Sequence, residues 1–509
     1  MITRTEHAIK NTIYTIVVQV VNIIIKFIVR TVFIYTLGRE YLGIGGVFSN
    51  ILTVLSLAEM GIGTAIVYDM YKPIAEKNET KISQLYVFYK RVYTFIGLVI
   101  TFLGLLLLPF LNYILTDVPN VKYIELIYCL HLADSVSTYF FAHCRSLLSA
   151  HQLERVNSKN SLMVAVLKTL LEIVVLITTH SYVLYMLAQI IVRVYGNYII
   201  YLKVNKYFPY LNRKTKALEL KDRKRIFSNS LHMLTIRISS TMINATDNII
   251  ISALISTVLV GIYSNYNMII QIIWTTTFLL ETSLVASVGN LCATESVEKK
   301  YEIYLRIRFI YTVMYCFISV ALFTLLNPFI ELWLGESFLL SKWTVALIVV
   351  NCYLSGIRQP IEVFLNADGL FRYFTLKPVF EVVINIIISV YGAKAWGVNG
   401  VLLGTIISHT TTTLWYDAWI VYKHSLKKHI FEYFKVYGKG IGWTLMLVVL
   451  ADAAQAKLNI VGIEGFLIRV AIALVMSCLI FLFYWKSYEF SWLKQFIKNK
   501  LSNKQINRE

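Results

Sequence analysis

Apolar runs of about 20 residues, the length that crosses roughly 30 Å of hydrocarbon, recur along this chain between short polar breaks. About fourteen can be read: Asn11–Leu37, Gly43–Tyr71, Leu85–Leu115, Ile124–Ala150, Ser161–Thr179, Tyr182–Leu202, Ser228–Ile255, Val258–Leu291, Ile303–Leu326, Trp343–Leu365, Pro378–Trp396, Val398–Tyr422, Ile441–Ala456 and Phe466–Trp485. Each predicts a membrane-spanning helix, so the expected fold class is an all-α integral membrane protein with about fourteen spans.

The longest break, Lys203 to Arg225, carries nine Lys/Arg and Pro209 and separates six helices from the eight that follow. The expected organisation is a six-helix lobe over residues 1–204, a basic connector over 205–227, a second six-helix lobe over 228–424, two additional helices over 425–485 and a basic amphipathic tail over 486–509. A break of this kind invites a search for a repeat. Leu42-Gly43-Ile44 after the first run returns as Val260-Gly261-Ile262 after the seventh, 218 residues later. The same offset pairs Gln19 with Arg237, Asn22 with Ser240, Lys26 with Asn244 and Arg30 with Asn248. At about 100° per residue these fall on one face, so each half opens with a helix bearing a polar stripe.

Composition removes the soluble alternatives. The 509 residues are 57% hydrophobic and 15% charged, against about 45–50% and 25% in soluble domains. A formal charge of +19 raises nucleic-acid binding, but the basic residues sort by side of the membrane. Alternate connectors hold Lys72, Lys77, Lys81, Arg155, Lys159, the 203–225 run, Lys299, Lys300, Lys423, Lys427, Lys428, Lys435 and the tail; the others hold only Arg39, Lys122, Lys342, Lys394 and Lys457. That asymmetry is the positive-inside pattern; it places both termini in the cytoplasm and offers no nucleic-acid surface. The first run is longer than a signal-peptide core and reads as a retained helix. The six cysteines lie singly inside predicted helices, without metal or redox spacing.

Charges at mid-bilayer cost about 2.5–3.5 kcal/mol on insertion scales and so face a bundle interior or a wet cavity. Lys26, Arg30, Lys168, Arg193, Arg237 and Arg358 are the deep cations; Glu59, Asp134, Glu172, Asp247, Glu281 and Glu362 are the deep anions. Lys90, Arg91, Arg145 and Asp417 lie nearer helix ends, where snorkelling explains them. Lys168 with Glu172 and Arg358 with Glu362 are spaced for ion pairs within one helix. Lys26 and Arg30 have no acidic residue on their own helix and are free for an anionic ligand or a distant carboxylate. Glu59, Asp134, Glu172 and Asp247 are candidates for ion coupling or for balancing the arginines. Two further stripes, His131, Asp134, Ser135, Thr138 and Arg145 on the fourth run and Asn351, Ser355, Arg358 and Glu362 on the tenth, suggest a shared cavity. No catalytic, metal-binding or cofactor motif stands in any connector.

The stretch Tyr35-Thr36-Leu37-Gly38-Arg39-Glu40-Tyr41-Leu42-Gly43-Ile44, followed by Leu55-Ser56-Leu57-Ala58-Glu59-Met60-Gly61-Ile62-Gly63, resembles the opening of bacterial polysaccharide flippases of the multidrug/oligosaccharidyl-lipid/polysaccharide exporter superfamily. Asp247-Asn248-Ile249-Ile250-Ile251 and Gly397-Val398-Asn399-Gly400-Val401 are similar to later patterns of that family. The resemblance implies two six-helix lobes and two additional C-terminal helices moving by alternating access in the bacterial inner membrane. It implies a cargo of oligosaccharide on a polyprenyl pyrophosphate, membrane lipids as surroundings, and the polysaccharide polymerase and chain-length machinery as partners. Lys26, Arg30, Arg193, Arg237 and Arg358, with the polar Gln19, Asn22 and Asn244, are then the expected pyrophosphate and glycan cavity, because a pyrophosphate crossing a low-dielectric interior needs compensating charge. A drug exporter and a peptidoglycan-precursor flippase of the same superfamily are the nearest alternatives. A membrane polymerase or ligase would need a larger outer loop than any here.

Overall fold

The computed structural model describes residues 4–59, 62–117, 121–212, 216–373, 377–456 and 462–506. Among them every regular element is helical. The helices are α1 (Arg4–Leu55), α2 (Ile62–Ala75), α3 (Glu79–Leu106), α4 (Ile124–Ala150), α5 (Glu154–Thr179), α6 (Tyr182–Tyr207), α7 (Leu220–Leu254), α8 (Thr257–Thr294), α9 (Val297–Leu334), α10 (Lys342–Ala367), α11 (Lys377–Trp396), α12 (Val398–Ser408), α13 (Leu414–Val421), α14 (Ile430–Gln455), α15 (Gly462–Cys478) and α16 (Tyr488–Ile506). Ten helices among the described residues are long and apolar enough to cross a membrane. This is a multi-pass membrane protein. Those ten are fewer than the fourteen runs read from the sequence, partly because α1 joins two of them. Inside α1, Gly38 stands at φ 87° and ψ 178°, a conformation only glycine adopts without strain, and it falls between the runs Asn11–Leu37 and Gly43–Tyr71.

The chain forms two compact units, 1–264 and 265–509. The division therefore falls inside α8, beyond the basic connector where the sequence suggested the lobes part. The reason lies in the repeated tripeptide: α7 packs on α1 and α2, and at the start of α8 Gly261 faces Gly43 of α1. A methyl group on Gly43 would meet the Thr257 carbonyl; one on Gly261 would meet the Arg39 carbonyl and the Gly43 backbone. Small residues let membrane helices approach closely in this way. The connector itself is folded onto the first unit, where Phe208, Leu211, Leu218 and Ile226 are buried with α3 side chains.

In the second unit, α11 and α12 meet through Gly392, Gly400, Gly404 and Ser389 with the same small-residue logic. The additional helices α14 and α15 seat Leu447, Ala451 and Ala473 against Cys316 and Val320 of α9. Between α12 and α13 the backbone opens into a π-helical turn at His409–Thr413. Threonine hydroxyls there back-bond to carbonyls four residues earlier, as Thr410 does to Ile406 at 2.9 Å and Thr412 to Ser408 at 2.5 Å, and such competition loosens the α-helical ladder. The tail helix α16 is tied to α9 by Arg308 with Glu489 at 3.0 Å and by Arg306 over the Trp492 ring.

Candidate functional site

In the first unit, α1, α4, α5 and α6 pack together, and their polar residues meet inside. Arg193 of α6 is 2.6 Å from Asp134 of α4. Lys168 and Glu172 of α5 form the within-helix pair at 3.5 Å, with the Glu172 side chain 5% exposed. Tyr185 of α6 lies beside both Glu172 and Arg30, and Gln189 adjoins it. Arg30 of α1 donates from Nη1 to Ser264 Oγ at 3.2 Å. Of the residues singled out from the sequence, the fold thus assembles Arg30, Lys168, Arg193, Asp134 and Glu172. Cations outnumber carboxylates in this set, and Arg30 is held by a neutral hydroxyl. A site of that composition can accept an anion without losing a structural ion pair.

The other candidates lie elsewhere. Lys26 is exposed one turn before Arg30, with no ion pair among the described residues. Gln19 and Asn22 are half-buried on the same helix. The backbones of Arg237 and Asn244 belong to α7, and their side chains lie outside the described residues. Glu59 adjoins Tyr93 and Tyr139, and Asp247 is buried beside Tyr263.

The stripe on α4, read from the sequence as part of a shared cavity, is engaged with the neighbouring helices. His131 Nε2 is 2.8 Å from the Tyr182 hydroxyl, and Arg145 donates to Asn197 Oδ1 at 3.0 Å. With Asp134 on Arg193, this face is a polar zipper between α4 and α6. Side chains buried in an apolar bundle satisfy one another where partners are within reach. Arg145 is therefore engaged between helices rather than snorkelling.

The second unit gathers its own charges. Arg358 and Glu362 of α10 form the expected pair within one helix. Glu281 of α8 lies near both. Lys377 of α11 reaches both carboxylate oxygens of Asp417 at 2.7 Å, and Thr413 donates to Glu381 Oε1 at 2.7 Å with His409 4.0 Å away. The Asp417 side chain is 4% exposed, which corrects its reading as a snorkelling residue: it is a buried carboxylate held by a lysine from another helix. Lys377, Glu381 and His409 went unnoticed in the sequence. The four-residue spacing of Lys377 and Glu381 was the available signal. Among the described residues no His, Cys, Asp or Glu cluster has the grouping of a metal site.

These helices define a multi-pass membrane protein with buried charges in both units. The first solved structure it resembles is an inward-facing multidrug resistance MATE family transporter of the MOP superfamily, with a TM-score of 0.60 at 15% identity over 78% of this chain and 93% of that one. Lipid II flippase MurJ in an inward closed conformation gives 0.58 at 15% identity over 91% and 98%. The MATE multidrug transporter DinF-BH gives 0.54 at 15% identity over 79% and 92%. A search of curated proteins returns no match. The family model "Polysaccharide biosynthesis protein" matches residues 8–285, more than half of the chain. The protein belongs to that family, and it shares the fold of the transporter and flippase structures above.

Proposed function

We propose that the protein carries polyprenyl-pyrophosphate-linked oligosaccharide units from the cytoplasmic to the outer leaflet of the bacterial inner membrane, by alternating access, for surface polysaccharide such as O-antigen or capsule. The observation that carries this reading, beside the family, is the excess of cations over carboxylates in the network between α1, α4, α5 and α6. A diphosphate moving through a low-dielectric path needs positive charge that is not already neutralised. Arg30 supplies it within the network, joined by Arg193, which shares Asp134, with Lys26 one turn before Arg30 and Arg237 at the repeat position that matches Gln19. Arg358, Gln19, Asn22 and Asn244 complete the proposed glycan path. Glu59, set among tyrosine hydroxyls, is the first candidate for proton uptake, ahead of Asp134 and Glu172, which are held by cations; Asp247 is the fourth. The polymerase and chain-length proteins would take the product at the outer leaflet.

Flipping of a defined lipid-linked oligosaccharide in proteoliposomes, with and without an imposed ion gradient, tests the reading. Transport of that cargo and not of a cationic drug is the expected result. Preference for a peptidoglycan precursor would move the assignment to the related flippases. The proposed topology has fourteen spans with both termini cytoplasmic. In a background lacking the native cysteines, Ala217→Cys should react only from the inside; labelling by an impermeant reagent outside intact cells overturns it.

A further inference from the structure

A cavity of about 530 Å3 opens on the first unit between α3, Leu55 of α1 and the end of the connector. Its long wall is α3, which presents a stripe at four-residue intervals, Arg91, Phe95, Val99 and Leu103, with Val92, Ile96 and Ile100 in the row beside it. Phe95 is 67% exposed and Leu103 39%. From Arg91 to Leu103 the stripe runs about 18 Å at 1.5 Å per residue, close to the roughly 15 Å of one leaflet's hydrocarbon. At the connector end the cavity is cationic, lined by Arg91, Lys216 and Arg223. That end is built: Lys81 holds Asp222 at 2.5 Å, Arg223 Nε donates to the Leu218 carbonyl at 2.9 Å, and its guanidinium stands over the Phe88 ring. The nearby carboxylate, Asp222, is thus taken up by Lys81. Arg91 and Lys216 are exposed and pair with no carboxylate among the described residues.

We infer that this groove binds an anionic glycerophospholipid, its phosphodiester among Arg91, Lys216 and Arg223 and one acyl chain along Phe95, Val99 and Leu103. The groove matches the length of a single-leaflet chain, which selects a glycerolipid over a long polyprenyl tail. A lipid seated there fastens the connector, and with it the start of α7, to the bilayer. The inference stands apart from the cargo proposed above.

The test titrates purified protein in detergent with phosphatidylglycerol, phosphatidylcholine, a polyprenyl phosphate and inorganic phosphate, reading bound lipid by native mass spectrometry. Phosphatidylglycerol should bind, with phosphatidylcholine and inorganic phosphate far weaker. The triple variant R91Q/K216Q/R223Q should lose about a hundredfold in affinity, near fivefold for each basic residue removed from a lipid headgroup. Leu103→Trp, which fills the groove, should weaken binding while leaving the charges in place. Melting temperature without lipid reports folding; should the triple variant fail to fold, the exposed Lys216→Gln is read in its place for the fivefold loss. Equal binding of phosphatidylcholine, unchanged affinity in the charge variants, or capture of polyprenyl phosphate in preference to phosphatidylglycerol each overturns the assignment.

Discussion

The two units use their intramembrane charges differently. In the second unit, carboxylates are in excess: Glu281, Glu362, Glu381 and Asp417 surround Arg358 and Lys377. Each of those cations is committed to a carboxylate at short range. In the first unit's network between α1, α4, α5 and α6, Arg30, Lys168 and Arg193 outnumber Asp134 and Glu172, and Arg30 is anchored by a serine hydroxyl. A charge locked in a buried pair is costly to remove and offers little to a ligand. One held by a neutral partner is cheaper to remove and can receive an anion. Stability and transport should therefore separate between the units.

The largest effect on stability is expected at Lys377. Replacing it with alanine leaves Asp417 buried and uncompensated, and breaking such a pair costs about 3–5 kcal/mol. Protein abundance in membranes and the melting temperature in detergent should both collapse. The double variant Lys377→Met with Asp417→Asn, which removes both charges, should recover most of the loss. If Lys377→Ala is as abundant as wild type, the second unit's charges are not structural and the contrast fails.

Arg193 falls between the two cases. Its side chain is 34% exposed and that of Asp134 15%, so Arg193→Ala should cost about 2 kcal/mol, between the surface and buried limits. Export should fall further than abundance does. Restoring abundance with Asp134→Asn while export stays low would assign Arg193 to the cargo. Recovery of both would make the pair a helix tie and nothing more.

At Arg30 the balance tips to function. Loss of one hydrogen bond to Ser264 costs about 1 kcal/mol, so Arg30→Ala should be near wild type in abundance and at least tenfold lower in lipid-linked oligosaccharide flipping. Arg30→Lys should be milder, because charge is kept while bidentate geometry is lost. Normal flipping by Arg30→Ala would leave the functional reading on the family match alone.

How much of this was legible in the sequence follows from the range of the interactions. The helices and the pairs Lys168–Glu172 and Arg358–Glu362 are set by spacing on one helix, and the structure places them where that spacing puts them. The repeated glycines were visible as a pattern, but their packing against each other was not, since nothing in a tripeptide says which helix will face it. Asp134 with Arg193 and Lys377 with Asp417 join different helices, and no periodicity links such positions. Depth misled too. Asp417 lies toward one end of its apolar run, where snorkelling is the cheaper expectation. Yet α10 and α14 pack on α13, and Lys377 reaches across from α11, which leaves Asp417 buried. The polar stripes were visible in the sequence; whether a stripe zips to a neighbour, as on α4, depends on the side chains opposite.

The smallest change in stability is expected at Lys26, where the comparison can be sharpened most. It shares the stripe of Arg30, one helical turn before it, yet it is exposed and forms no ion pair among the described residues. Removing an exposed, unpaired side chain changes stability by no more than about 0.5 kcal/mol, so Lys26→Ala should match wild type in abundance and melting temperature. A lysine set only against lipid would be as dispensable for flipping as it is for folding. One that meets the diphosphate should slow transport, and Lys26→Glu should slow it more than Lys26→Ala because it adds repulsion to the lost attraction. Measured in proteoliposomes at low and high salt, the Lys26→Ala defect should shrink as salt rises, since an accessible charge is screened by solution ions and a buried one is not. Equal rates for wild type, Lys26→Ala and Lys26→Glu would confine the proposed anion path to the interior residues Arg30 and Arg193.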